Sequence, residues 1–151
     1  MRRQKGTQFT TKVKSNSNVP EEIIQAEIVQ YLQSLHIFRH SVPNEAAGNN
    51  AVKTMQLIST GLWAGAGDLI VWWPKDANYL EHEPADINSI LPTYPVELGY
   101  VEVKKPVVGK QSKRQQSFER RCKRNGVPYL LAYSVDDIKA ELIRRKLITV
   151  S

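Results

Sequence analysis

The chain has 151 residues, a formal charge of +6 and a pI near 9.5. Such a length suits one domain with its own hydrophobic core, needing neither disulfides nor a structural metal to hold it. No apolar run approaches the roughly 20 residues that span a bilayer, zinc-finger spacings are absent, and a single cysteine, Cys122, forbids an internal disulfide.

The basic start, Met1-Arg2-Arg3-Gln4-Lys5, is not followed by the apolar stretch of a secretion signal. With one cysteine, a reducing intracellular compartment is expected, and with it a cytoplasmic location. The positive charge is unevenly placed. The first fourteen residues carry five Lys or Arg and no acid, and a second basic segment holds Lys110, Lys113, Arg114, Arg120, Arg121, Lys123 and Arg124 against the lone acid Glu119. A solvated helix face and a tail would account for this; a phosphate-tracking surface would as well.

Residues 1–19 are polar, basic and aperiodic, which predicts an arm ahead of a single domain over 20–151. Pro20 opens a helix with Glu21 and Glu22 in its first turn, where the helix dipole favours acids and where the two read as caps. At 100° per residue Ile23, Ile24, Ile28, Tyr31, Leu32 and Leu35 form a broad apolar stripe, and Glu27 is expected to lie toward it. A carboxylate pressed against a core needs a partner, so Glu27 is the candidate functional acid of this helix.

A first strand is expected over His36 to Val42, then a loop, then a short helix over Ala51 to Ser59. The glycine-rich Gly61-Leu62-Trp63-Ala64-Gly65-Ala66-Gly67-Asp68 leads into the apolar run Leu69 to Trp73, a buried strand ended by Pro74 and entered at Asp68. Residues 75–95 read as a long connection. Val96 to Lys105 reads as the next strand, with Glu102 and Lys104 on one face and Val101 and Val103 on the other. Ser112-Lys113-Arg114-Gln115 matches a capping box and starts a basic helix that stops at Asn125-Gly126. Val127 to Tyr133 forms a further strand, and a second cap at Ser134 starts a last helix running to about Lys146. The order helix, strand, short helix, strand, strand, helix, strand, helix predicts an α/β domain with a mixed sheet flanked by helices.

Neighbouring strands lie about 4.8 Å apart, so Asp68 and Glu102 can converge on one ion. Two carboxylates suit a hard cation such as Mg²⁺, with the Val103 backbone carbonyl as a further ligand. Lys104 beside them can orient or deprotonate an attacking water and stabilise a developing oxyanion. Gln115 either completes the capping box or, since Phe118 one turn on shares its face, points inward to the site. Trp63, Trp72 and Trp73 could stack on bases, although Trp72 and Trp73 lie in a strand and at least one belongs to the core.

The lines Gly65-Ala66-Gly67-Asp68-Leu69-Ile70, Tyr100-Val101-Glu102-Val103-Lys104 and Ser112-Lys113-Arg114-Gln115-Gln116-Ser117-Phe118 resemble the PD-(D/E)xK nuclease superfamily. Within it they are most similar to the virus-type replication-repair nuclease (VRR-NUC) family, from about Pro20 to Asp137. Gly67 stands where the family has a proline. The resemblance implies a restriction-endonuclease-like core and a DNA endonuclease dependent on Mg²⁺ or Mn²⁺, similar to the phage and bacterial enzymes that resolve Holliday junctions, often as homodimers. It implies Asp68 and Glu102 as metal ligands, Lys104 as the catalytic lysine, Glu27 as the helix-borne acid and Gln115 as the site glutamine. Branched DNA is the expected partner, in a DNA-repair setting, with no membrane and no nucleotide cofactor. Two rivals stay open: a non-catalytic DNA-binding module of the same fold, and a nuclease acting on RNA.

Overall fold

Pro20 ends an extended approach to helix α1, Glu21–Ser34, and contributes no side-chain cap of its own. In the computed structural model, which describes residues 19–42, 51–61, 63–82 and 92–150, this helix buries Ile24, Ile28 and Leu32. The apolar stripe is the expected one except at its edge: Ile24, Ile28 and Leu32 are buried, Tyr31 and Leu35 pack against the core, Ile23 is half exposed and Glu27 lies in solvent. Burial of each large aliphatic side chain on this stripe contributes about 1.5–3 kcal/mol. The expected arm lies outside the described residues except for Val19, which packs against the core.

Strand β1 is short, Arg39–Ser41, where a run from His36 to Val42 was expected. Its entry is bent by His36 at φ 59°, and Ile37 turns back into the core. Helix α2, Ala51–Ser59, falls on the expected segment. Strand β2 is Leu69–Pro74, followed by a 3-10 turn at Tyr79–His82. Strand β3 is Val96–Val103, two residues shorter than expected. Helix α3, Lys113–Arg124, strand β4, Tyr129–Ala132, and helix α4, Val135–Arg144, complete the chain.

The four strands make one sheet in the order β1-β2-β3-β4. The first two pairings are antiparallel and the last is parallel, so the sheet is mixed and the protein is α/β, as its element order predicted. Pleating divides the residues of β3 between two layers. Val101 and Val103 join Leu69, Val71, Trp73 and Ala132 with α1 and α4 residues such as Ile138 and Leu142 in the main core. Tyr100 and Glu102 face the other way, where Phe118 of α3 meets Tyr100 edge-on at 4.8 Å between centroids. Sheet parity therefore directs one acid, Glu102, under α3.

Among the described residues no helix is long and apolar enough to cross a membrane.

Candidate functional site

The register of β2 and β3 pairs Leu69 with Val101 and Ile70 with Tyr100. Extended by one residue, it sets Asp68 opposite Glu102 on the same face, the position at which cross-strand side chains interact most strongly. Asp68 is held there by its neighbour strand: the Val103 N–H donates to Asp68 Oδ2 at 2.7 Å. Val103, expected to offer its carbonyl, thus meets Asp68 through its amide.

Glu102 is the one buried charged residue among the described residues, 1% exposed. Three groups surround its carboxyl. Gln115 Nε2 donates to Oε2 at 2.7 Å, the Tyr129 hydroxyl donates to Oε1 at 3.3 Å, and Lys104 Nζ lies 3.7 Å from Oε2. Burial first and then the charge of Asp68 push the Glu102 pKa up to about 8, against the opposing effects of Lys104 and the Tyr129 hydrogen bond.

Gln115 satisfies both readings open to it. Its Oε1 accepts from the Ser112 N–H at 2.8 Å, closing the capping box, while its Nε2 reaches Glu102. One amide joins the helix start to the acid, and its orientation is set by the cap.

Glu27 does not lie toward the buried stripe as expected. Glu27 is exposed, because it precedes Ile28 by one residue and so projects about 100° from the buried line. Glu21 takes the place near the site, with Oε1 3.9 Å from Lys104 Nζ, and its charge acts on Glu102. Its sequence signal was its spacing, three residues before Ile24 and on the same face. Glu21 was read as a cap because it lies in the first turn.

Two further residues escaped the sequence reading. Tyr129 lies opposite Tyr100 in the parallel register, close enough for its hydroxyl to reach Glu102. Burial first, and then the negative charge of Glu102, hold its phenol well above the usual range. Gln111 Nε2 donates to the Tyr129 hydroxyl at 3.1 Å and to Glu119 Oε1 at 3.0 Å. Glu119 also pairs with Lys123 at 2.8 Å. Its pKa is lowered: burial would raise it, and the bonds from Lys123 and Gln111 outweigh burial. A polar chain therefore runs from Glu102 to the surface of α3. Nothing in a linear pattern marks a tyrosine in an apolar strand as its link.

The glycine-rich loop before β2 is seated on α3. Gly65 has φ 91°, and a Cβ there would lie 2.7 Å from the Arg114 carbonyl oxygen, so only glycine fits this approach. Trp63 beside it is half exposed, with the Arg121 guanidinium over its ring at 5.3 Å. Trp73 is core and Trp72 packs edge-on against Phe38. All seven basic residues singled out from the sequence, Lys110, Lys113, Arg114, Arg120, Arg121, Lys123 and Arg124, are exposed.

No group of three or more His, Cys, Asp or Glu gathers as a metal cage among the described residues. The carboxylates fit a different kind of site. Mg²⁺ keeps most of its waters and takes only one or two carboxylates from a protein, and the charge of Asp68 adds to burial in raising the pKa of Glu102. A divalent cation between the two carboxylates would offset that charge, so the donor set fits a hard cation. Comparison with protein-family models, with curated proteins and with solved structures finds no match. The site therefore stands on its own geometry.

Proposed function

We propose that this chain is an endonuclease that hydrolyses DNA phosphodiesters with Mg²⁺ or Mn²⁺, built on a restriction-endonuclease-like core of the PD-(D/E)xK type. The observation that carries this reading is the buried Glu102 carboxyl, set opposite Asp68 and 3.7 Å from Lys104 Nζ. Unlike charges gathered on one face of a buried strand are costly to keep, and hydrolysis of a phosphodiester uses all of them. A bound divalent cation supplies charge neutralisation at the phosphate and at the leaving oxygen.

The remaining work falls to side chains. Asp68 and Glu102 would hold the ion. Asp68 is aimed by the Val103 amide, and Glu102 by Gln115 and Tyr129. Lys104 orients the attacking water and stabilises charge as it develops on the phosphate. Glu21 sets the position of the lysine head group. The exposed cations of α3 track the phosphate backbone by shape and charge without reading bases.

Branched DNA, such as a four-way junction, is the proposed substrate. A homodimer would match the two-fold symmetry of paired cuts in a junction. The buried free thiol of Cys122 accords with work inside a reducing cell, bacterial or phage-infected.

The test is a panel of labelled duplex, flap and four-way junction DNA incubated with and without Mg²⁺ or Mn²⁺. Cleavage is expected only with metal, and Asp68→Asn or Lys104→Ala should lower its rate by about 10²–10⁴-fold. Equal cutting by either variant, or no cutting of any substrate, sinks the proposal. Binding with a steep salt dependence and no metal-dependent cleavage would instead identify a DNA-binding module.

A further inference from the structure

Between Lys104 and α3 the chain makes a tight turn, Pro106-Val107-Val108-Gly109, that the proposed chemistry leaves unused. Val107 has φ 69°, the left-handed region that costs a residue with a Cβ on the order of 1–2 kcal/mol and is a real outlier for a β-branched one. Val107 is 89% exposed and Val108 60%, so burial of their isopropyl groups does not offset the strain.

The turn is nevertheless braced. The Val108 N–H donates to the Pro106 carbonyl at 2.7 Å, and the Gly109 N–H donates to the Lys105 carbonyl at 3.0 Å. Gly109 lies so close to the strand end that a Cβ there would sit 2.5 Å from the Lys105 carbonyl oxygen and 3.1 Å from Lys104 Cβ. Two apolar side chains are thus held outward on a platform formed by the Lys105 backbone, next to the candidate lysine Lys104. Strained residues that persist in a fold gather at ligand clamps and active sites. The surroundings are cationic, with Lys105 before the turn and exposed Lys110 after it, which suits a polyanion. The three or four residues of chain from Lys104 to the valines reach no more than about 14 Å, so the valines stay within a few nucleotides of any phosphate at Lys104.

We propose that Val107 and Val108 form an apolar wedge that presses on the base planes of a nucleic-acid strand and unstacks the step beside the phosphate held at Asp68, Glu102 and Lys104. This rests on the nuclease reading above. The phosphates of that strand lie against Lys105 and Lys110 while the valines take the apolar base faces, as apolar side chains do when they open a base step.

The experiment uses the full chain with Ca²⁺, a hard cation that takes the same oxygen ligands, in place of Mg²⁺, and four-way junction DNA carrying 2-aminopurine at successive positions. Anisotropy reports binding, and 2-aminopurine emission reports unstacking. Emission should rise roughly threefold at one or two adjacent positions, in keeping with local unstacking by a wedge. Val107→Gly combined with Val108→Ser should abolish the rise while affinity, carried by phosphate contacts, weakens by less than about tenfold. Its melting temperature should hold or rise, since glycine adopts the left-handed conformation freely. Binding without a rise at any position, or a rise that survives in the double variant, overturns the wedge and leaves the nuclease reading standing. Failure to bind any DNA overturns both.

Discussion

Two acidic clusters flank the sheet, and they treat the same side chain in opposite ways. At one end Glu141 of α4 receives Arg144 and Arg145, Arg145 also reaches Glu97 of β3 at 2.8 Å, and its guanidinium lies 4.8 Å from the Trp73 ring centroid. Burial would raise the Glu141 pKa, but the two arginines outweigh it and hold it below the usual range. At the other end Glu102 is buried more deeply, faces Asp68, and has one lysine 3.7 Å away in place of a guanidinium fork. Its pKa goes up to about 8. Planar, bidentate partners neutralise a carboxylate. Burial beside a second carboxylate, with a point-charge ammonium to oppose it, leaves Glu102 holding its proton above the usual carboxyl range. The first cluster ties α4 to the sheet; the second stores electrostatic energy.

The sharpest way to break this contrast is Glu102→Gln. Metal-dependent cleavage should fall by about 10³-fold, read on the junction substrate. The same variant tests the pH dependence of folding. The folded pKa near 8 lies above the ordinary carboxyl value of 4.5, so the folded state binds the proton more tightly than the unfolded one. Stability from this group is complete below about pH 4.5 and is lost as pH rises toward 8 and beyond. Metal-free protein should lose on the order of a few kcal/mol across that window, and Glu102→Gln should flatten the curve. An unchanged slope in thermal melts would show that Glu102 is not the titrating group.

Arg145→Ala addresses the opposite cluster. It removes the cation over Trp73 and leaves Glu97 and half-buried Glu141 with fewer partners, at a cost of about 1–3 kcal/mol. Chemical denaturation should show this loss while cleavage by the folded protein stays at the parent rate. A matching loss of cleavage would mean that the two ends of the sheet are coupled.

Tyr129→Phe should have a smaller effect. It deletes the donor to Glu102 Oε1 and the acceptor of Gln111, costing about 1 kcal/mol, and should raise the Glu102 pKa further because a bond favouring the charged form is gone. Titration of the carboxyl by NMR would report the direction.

The smallest effects separate two acids of α1. Glu21→Gln should slow cleavage several-fold by freeing Lys104, whereas Glu27→Gln should leave rate and stability within about 0.5 kcal/mol of the parent. Equal sensitivity at both positions would undo the reassignment.

That reassignment shows what a linear pattern reveals and what it hides. Period-two alternation placed Glu102 and Lys104 together and Val101 and Val103 in the core, because a strand has only two faces. The capping box located Ser112 and Gln115 because its chemistry is local. Helix α1 was harder to read. A stripe drawn through Ile23, Ile24, Ile28 and Tyr31 is wide enough to admit Glu27, whereas the buried line is confined to Ile24, Ile28 and Leu32, with Val29, Tyr31 and Leu35 packed at its edge and Ile23 half exposed. The width of a helix face is set by its tertiary partner, which the sequence of the helix does not contain. Tyr129 was hidden for a related reason. Its partner lies 27 residues away across a parallel pairing, and its apolar neighbours are what any buried strand would carry.

The spread of the site along the chain matters during synthesis. Glu21 leaves the ribosome first, Asp68, Glu102, Lys104 and Gln115 follow, and the last donor comes with β4. Without β4 paired to it, β3 has an open edge and Glu102 lacks the Tyr129 hydroxyl. A nascent or truncated chain ending before Tyr129 therefore carries the site's acids without this donor. The final strand supplies both the last edge of the sheet and the last hydrogen bond to Glu102.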